Sequence, residues 1–148
     1  MAMRERKKVF TFDLDGKTKE SLLGHGIGVS GGAMSGRIVF SLQEIDEWRT
    51  QEPDTSLILV RGDTVPDDIR EIYAADGLLT ARGGVTSHAA VVAHRLGKTC
   101  VVGCGNLICN EAAKRCEFSQ IRFESGDRLS IDGQEGSVYQ GHMKVKEA

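Results

Sequence analysis

No run of about 18 apolar residues occurs anywhere in the 148-residue chain, and no basic stretch followed by an apolar core opens it. Neither a membrane span nor a secretory leader is expected, and the reading is a soluble cytoplasmic protein. Charge of one sign is equally absent. Nineteen Lys and Arg stand against 21 Asp and Glu, a net charge of −2, which argues against a nucleic-acid or anionic-membrane surface. The four cysteines, Cys100, Cys104, Cys109 and Cys116, form no C-x-x-C pair. Free thiols are the cytosolic default, with a zinc or thiol-redox site as the rival. Cys100 and Cys104 read as small hydrophobes flanking a buried strand. His25, His88, His94 and His142 show no local metal-ligand spacing, so no metal site is expected.

Glycine is abundant instead, at 18 residues, while 40% of the chain is hydrophobic. That combination suits a turn-rich folded domain rather than disorder. Val9 to Phe12 reads as a short strand, Asp13 to Gly16 as a turn and Lys17 to Leu23 as a short helix. A glycine-punctuated approach, Gly24 to Ala33, leads into a strand over Gly36 to Phe40. It precedes a strand instead of joining a strand to a helix, so it is not a dinucleotide loop.

Glu44 to Gln51 reads as a polar helix anchored by Trp48. The apolar run Leu57 to Val60 reads as a strand buried on both faces. Asp63 or Thr64 is the expected cap of the next helix, with Pro66 in its first turn. Its expected apolar stripe is Ile69, Ile72 and Tyr73. A strand over Leu78 to Thr80, a helix over Ser87 to Leu96 ended by Gly97, and a strand over Thr99 to Val102 complete a parallel unit. Antiparallel grammar follows. Leu107 to Asn110 and Arg115 to Phe118 form a hairpin facing Cys109 to Cys116, and short strands follow around Ile121, Leu129 and Val138.

The most telling stretch is Gly83-Gly84-Val85-Thr86-Ser87-His88-Ala89-Ala90-Val91-Val92-Ala93. A glycine pair and two hydroxyl residues place an imidazole at the amino end of a helix. There, free N–H groups and the helix dipole favour an anion. Arg82 to Ala93 resembles the phosphohistidine motif of the phosphoenolpyruvate-utilising enzymes. Leu79 to Arg82 and Leu96 to Lys98 most resemble the dikinase branch. Gly28 to Phe40 is similar to the start of that family's mobile domain, and Gly126 to Gly136 to its closing strands.

The resemblance implies an α/β fold, the three-layer swivelling β/β/α phosphohistidine domain, over 24–142. A tail over 143–148 follows. Residues 1–23 form an extension similar to the opening of a dikinase nucleotide-binding domain. It implies His88 as nucleophile and phosphate carrier, supported by Gly83, Gly84, Thr86, Ser87, Ala89 and Arg82. Thr86 or Ser87 is the expected N-cap. In plant dikinases the threonine at the position of Thr86 is a regulatory phosphorylation site.

The chain is too short to add a nucleotide or pyruvate site, so no bound cofactor is expected. ATP and magnesium belong on one partner, and pyruvate or phosphoenolpyruvate on another. The chain departs from the pattern at His94, where the family has arginine, with Arg95 next. The alternative reading is a non-catalytic docking or regulatory module.

Overall fold

A computed structural model describes residues 10–12, 21–64 and 68–147. The strands are β1 (Phe10–Phe12), β2 (Leu22–His25), β3 (Ile27–Ser30), β4 (Ala33–Val39), β5 (Leu57–Arg61), β6 (Gly77–Thr80), β7 (Thr99–Val102), β8 (Leu107–Asn110), β9 (Arg115–Phe118), β10 (Ile121–Glu124), β11 (Arg128–Asp132), β12 (Ser137–Gln140) and β13 (Val145–Glu147). Among the described residues three helices lie between them: α1 (Leu42–Gln51), α2 (Ile69–Ala74) and α3 (His88–Leu96).

An eight-stranded sheet in the order β2-β12-β11-β4-β5-β6-β7-β3 is the frame. Its centre, β4 to β7, is parallel, as the strand–helix–strand pattern requires. β11, β12, β2 and β3 add antiparallel strands to the same sheet. Strands β8, β9 and β10 form a separate antiparallel sheet, and β1 pairs with β13.

Every residue of β5 is buried, as the apolar run demands. Alternation then sorts its side chains. Leu57 and Leu59 join Ile45, Ile72, Ala89, Ala90 and Ala93 of the helices. Ile58 and Val60 join Phe118, Phe123 and Cys116 of the three-stranded sheet. Each fully buried Leu or Ile contributes about 1.5–3 kcal/mol, so this strand carries both cores.

Several elements differ from the sequence reading. The glycine-punctuated approach to the strand is itself two strands, β2 and β3, because the edges of β12 and β7 offer it partners. For the same reason Leu22 and Leu23 are strand, not helix, while residues 13–20 lie outside the described residues. Helix α1 starts at Leu42 behind Ser41, whose Oγ accepts from the Glu44 amide at 3.3 Å and donates to the Glu44 carboxylate at 2.6 Å. Its deepest anchor is Ile45, at 1% exposure. Trp48 is only partly buried, and the Arg37 guanidinium lies 4.3 Å from its ring centre.

Helix α2 is shorter than expected and has Asp68 at its N-cap, not Asp63 or Thr64. Pro66 lies outside the described residues. Of its stripe only Ile72 is buried; Ile69 and Tyr73 are exposed, because fewer than two turns present too narrow a face. The Lys98 ammonium donates to the Tyr73 and Ala75 carbonyls and closes the helix end.

The two end strands of the large sheet, β2 and β3, are separated only by Gly26. Two residues that close in sequence cannot be far apart in space, so the sheet curls until its ends meet. At that seam the Gly26 amide donates to the Gly136 carbonyl at 2.8 Å. The backbone of Gly133 lies against the Ser30 carbonyl so closely that a Cβ would collide with it. Among the described residues, no helix is long and apolar enough to cross a membrane.

Candidate functional site

The site forms where parallel strands β5 and β6 end, the place at which α/β sheets leave room for ligands. After β6 the chain is braced on the strand beside it. The Ala81 amide donates to the Arg61 carbonyl at 3.1 Å and the Arg82 amide to the Gly62 carbonyl at 2.9 Å. Thr80, 1% exposed, donates its hydroxyl to the Arg82 carbonyl at 2.6 Å. Gly83 then turns at φ 105°, a region closed to side-chain-bearing residues, and a Cβ there would lie 3.4 Å from Ser87. Nothing lies within 4 Å of the Cβ position of Gly84, so that side of the loop is open.

The loop delivers the chain into α3. Ser87, not Thr86, is the N-cap, and its Oγ accepts from the Ala90 amide at 3.3 Å. The Val91 amide donates to the Ser87 carbonyl at 3.0 Å. Helix geometry leaves the amides of His88 and Ala89 as first-turn donors without an intrahelical acceptor. Ala89, Ala90 and Ala93 are buried and seat the helix on the sheet. His88, the first helical residue, is exposed, as are Thr86, Val85 and Arg82. Gly97 ends the helix in the left-handed conformation at φ 67°.

This arrangement suits an anion bonded to the imidazole. The ring stands in solvent at the positive end of a helix held firmly by its alanine face. Replacing Ser87 with alanine removes the cap and is expected to cost about 1 kcal/mol, read as a lowered urea midpoint, with His88 still in place.

His94 and Arg95 are both exposed, in the last turn of α3. At 1.5 Å per residue, His94 lies about 9 Å along the axis from His88. His25 belongs to β2 and its Nε2 lies 2.8 Å from the Glu135 carbonyl oxygen; His142 is exposed. Among the described residues, no group of three or more His, Cys, Asp or Glu is placed to hold a metal ion. The cysteines are free thiols. Burial pushes the Cys100 thiol up to about 12 and the Cys104 thiol up to about 11, so both behave as small hydrophobes.

Two residues of this region were not singled out from the sequence. Thr80 braces the loop from beneath. Arg61, its neighbour in register on β5, is buried at 8% exposure. Its terminal nitrogens face Asp68 at 3.7 Å and Glu111 at 3.5 Å, while its Nε has no hydrogen-bond partner. The signal was present: each is a polar residue closing an apolar strand, the position where parallel sheets put functional groups. Beside the loop a cleft of about 550 Å³ is lined by Gly62, Asp63, Arg82, Leu107, Ile108 and Cys109, among others.

Residues 53–136 match the family described as PEP-utilising enzyme, mobile domain. The chain is 42% identical over 127 residues to pyruvate, phosphate dikinase of Clostridium symbiosum, covering 86% of this chain and 14% of that protein. It is equally 42% identical over 127 residues to the chloroplastic pyruvate, phosphate dikinase 1 of Oryza sativa subsp. japonica, covering 86% and 13%. The chain thus spans about 14% of the length of these curated relatives. An NMR solution structure of Enzyme I (nEIt) aligns at TM-score 0.41 and 31% identity, covering 57% of this chain and 30% of that one.

Proposed function

We propose, from the premise that this chain belongs to the family of PEP-utilising enzyme mobile domains, that it is a phosphohistidine carrier with His88 as its nucleophile. The observation that carries the reading is the exposed imidazole on the first residue of α3, beyond a glycine turn and a serine cap. The finer reading is the three-layer, swivelling form of the domain over 24–142, with 1–23 as an extension and 143–148 as a tail. Its partners, proteins or domains in trans, are one that binds ATP with magnesium and one that binds pyruvate or phosphoenolpyruvate.

In the step itself a ring nitrogen of His88 attacks phosphorus as the bond from phosphorus to the donor oxygen breaks. With phosphoenolpyruvate as donor, the leaving group is the enolate of pyruvate, which takes up a proton. The other ring nitrogen must be held so that the attacking one is free. The amides of His88 and Ala89 and the dipole of α3 favour the phosphoryl anion, each exposed contribution being worth about 0.3–1 kcal/mol. Gly84 leaves its side of the loop open to the partner's phosphate, and Arg82 stands at the edge of the cleft to meet it. In the second transfer an acceptor oxygen on the other partner attacks the same phosphorus as the N–P bond breaks, and the imidazole is regenerated as the leaving group.

The test is phosphorylation of the purified protein by phosphoenolpyruvate plus the isolated pyruvate-binding domain of a dikinase. Acid-labile, base-stable label on His88 is the expected result. Its absence, with the partner domain active on its own mobile domain, favours the second reading, a docking or regulatory module, for which His94 at the usual arginine position speaks.

Thr86 is the proposed regulatory position. It is exposed and is not the helix cap, so phosphate there would not disturb the fold. Thr86→Glu is expected to slow labelling of His88 by about tenfold or more through like-charge repulsion, while Thr86→Val keeps the wild-type melting temperature. Equal labelling rates in Thr86→Glu and wild-type protein would remove the regulatory role.

A further inference from the structure

We propose that Cys109 and Cys116 form a thiol–disulfide exchange site in the wall of the cleft beside the histidine loop, with a small-molecule disulfide as its reactant. The proposal stands whether or not His88 carries phosphate. The two residues are direct cross-strand partners in the β8–β9 hairpin. Both side chains face one core: Cys116, 1% exposed, belongs to the cluster with Phe118 and Phe123, and Cys109 packs against that cluster. Directly opposed residues in an antiparallel pair have Cα atoms about 4.5–5.5 Å apart. Disulfides span about 4.4–6.8 Å. The bond therefore closes with the hairpin in its present register.

Access decides which sulfur reacts first. Cys109 is half-buried and lines the cleft of about 550 Å³ with Gly62, Asp63 and Arg82. Its Sγ lies 3.9 Å from the Val60 carbonyl oxygen. Cys116 lies behind it, and Cys100 and Cys104 are at 0% exposure. In the first step the Cys109 thiolate attacks one sulfur of the small disulfide. A mixed disulfide forms and one small thiolate leaves. In the second step the Cys116 thiolate attacks the Cys109 sulfur and expels the second thiolate. The two protein thiols are oxidised, the small disulfide is reduced to two thiols, and the two protein protons end on those thiols. An excess of small thiol reverses both steps.

The surroundings make the exchange slow at neutral pH and steeply pH-dependent. Burial, then Glu111 of the hairpin turn, push the Cys109 thiol up to about 11, with Arg61 of β5 opposing. Burial pushes Cys116 to about 12, with Cys109 and the carboxylates of Asp127, Glu124 and Glu117 adding to it. Below those values the thiolate fraction rises tenfold per pH unit, and only the thiolate attacks.

The native protein is incubated with oxidised glutathione between about pH 7 and 9 and followed by intact mass and peptide mapping. The expected product has lost two hydrogens and carries a Cys109–Cys116 bond, formed about tenfold faster per pH unit. Cys116→Ala stops at the mixed disulfide on Cys109, and Cys109→Ala takes up no glutathione. Four free thiols in the treated wild-type protein overturn the proposal. So does a bond between another pair, or modification of Cys100 and Cys104 at the same rate as Cys109, which would mean that reaction follows unfolding.

Discussion

Substituting His88 by alanine is expected to remove the phosphoryl label and to leave the melting temperature unchanged. The first effect follows from chemistry. The proposed carrier step needs an imidazole nitrogen at the amino end of α3, and His94 is about 9 Å further along the axis. Loss of a nucleophile costs at least about a thousandfold in such reactions. The second effect follows from position. His88 is exposed, the cap is made by Ser87, and the helix is seated by Ala89, Ala90 and Ala93. Alanine is also the best helix former, so the stability change stays within about 0.5 kcal/mol. Label counting beside a thermal melt by circular dichroism reads both. Undiminished label in the variant would move the carrier to another residue; a collapsed melt would mean that the histidine holds the fold.

Gly133→Ala is expected to give the opposite pattern, a large loss of stability with the chemical group intact. The added Cβ would overlap the Ser30 carbonyl, which is backbone and has no rotamer to escape through. The Ser30 segment is itself held, because its hydroxyl donates to the Lys98 carbonyl at 2.6 Å and the Gly133 amide donates to the Gly32 carbonyl at 3.1 Å. Relief requires the seam between β3 and the β11–β12 turn to part. Overpacking of this kind costs about 3 kcal/mol or more. The expected readout is a urea midpoint shifted far down at unchanged slope. Label per folded molecule is expected to stay as in the wild type, since the added Cβ would meet Ser30 and Gly31 and no residue of the histidine loop. A midpoint within error of the wild type would show that the seam is slack.

The parallel unit was legible because its strands are continuous apolar runs. Leu57 to Val60 and Thr99 to Val102 have one reading at that length. Helix α3 was legible from both ends, through Ser87 and Gly97. The hairpin placed Cys109 opposite Cys116, and the structure pairs them. What failed were elements whose state is set from outside. Gly24 to Ser30 has little strand propensity and becomes β2 and β3 because β12, paired with β11, and β7, paired with β6, each leave one edge to fill. Helix α2 offers three apolar positions, of which its six residues bury one. At the site the histidine, its cap and the glycine turn were readable from local order. Arg61 closes its apolar strand as Thr80 does, but its partners Asp68 and Glu111, on a helix cap and a distant hairpin turn, could not be read from local order.

The closure of the large sheet on itself bears on how the chain reaches this state. The strands that join its ends pair across the whole sequence: His25 with Ser137, Val101 with Gly28, Arg37 with Arg128. Local contacts complete the helices, the β8–β10 hairpins and the β11–β12 hairpin, but for the rest of the large sheet loop closure must come before the contacts that reward it. On a ribosome the parallel strands and the helices between them emerge well before β11 and β12, which complete the sheet and end at Gln140. The domain therefore matures late in its own synthesis, and that interval is when a chaperone has most to cover.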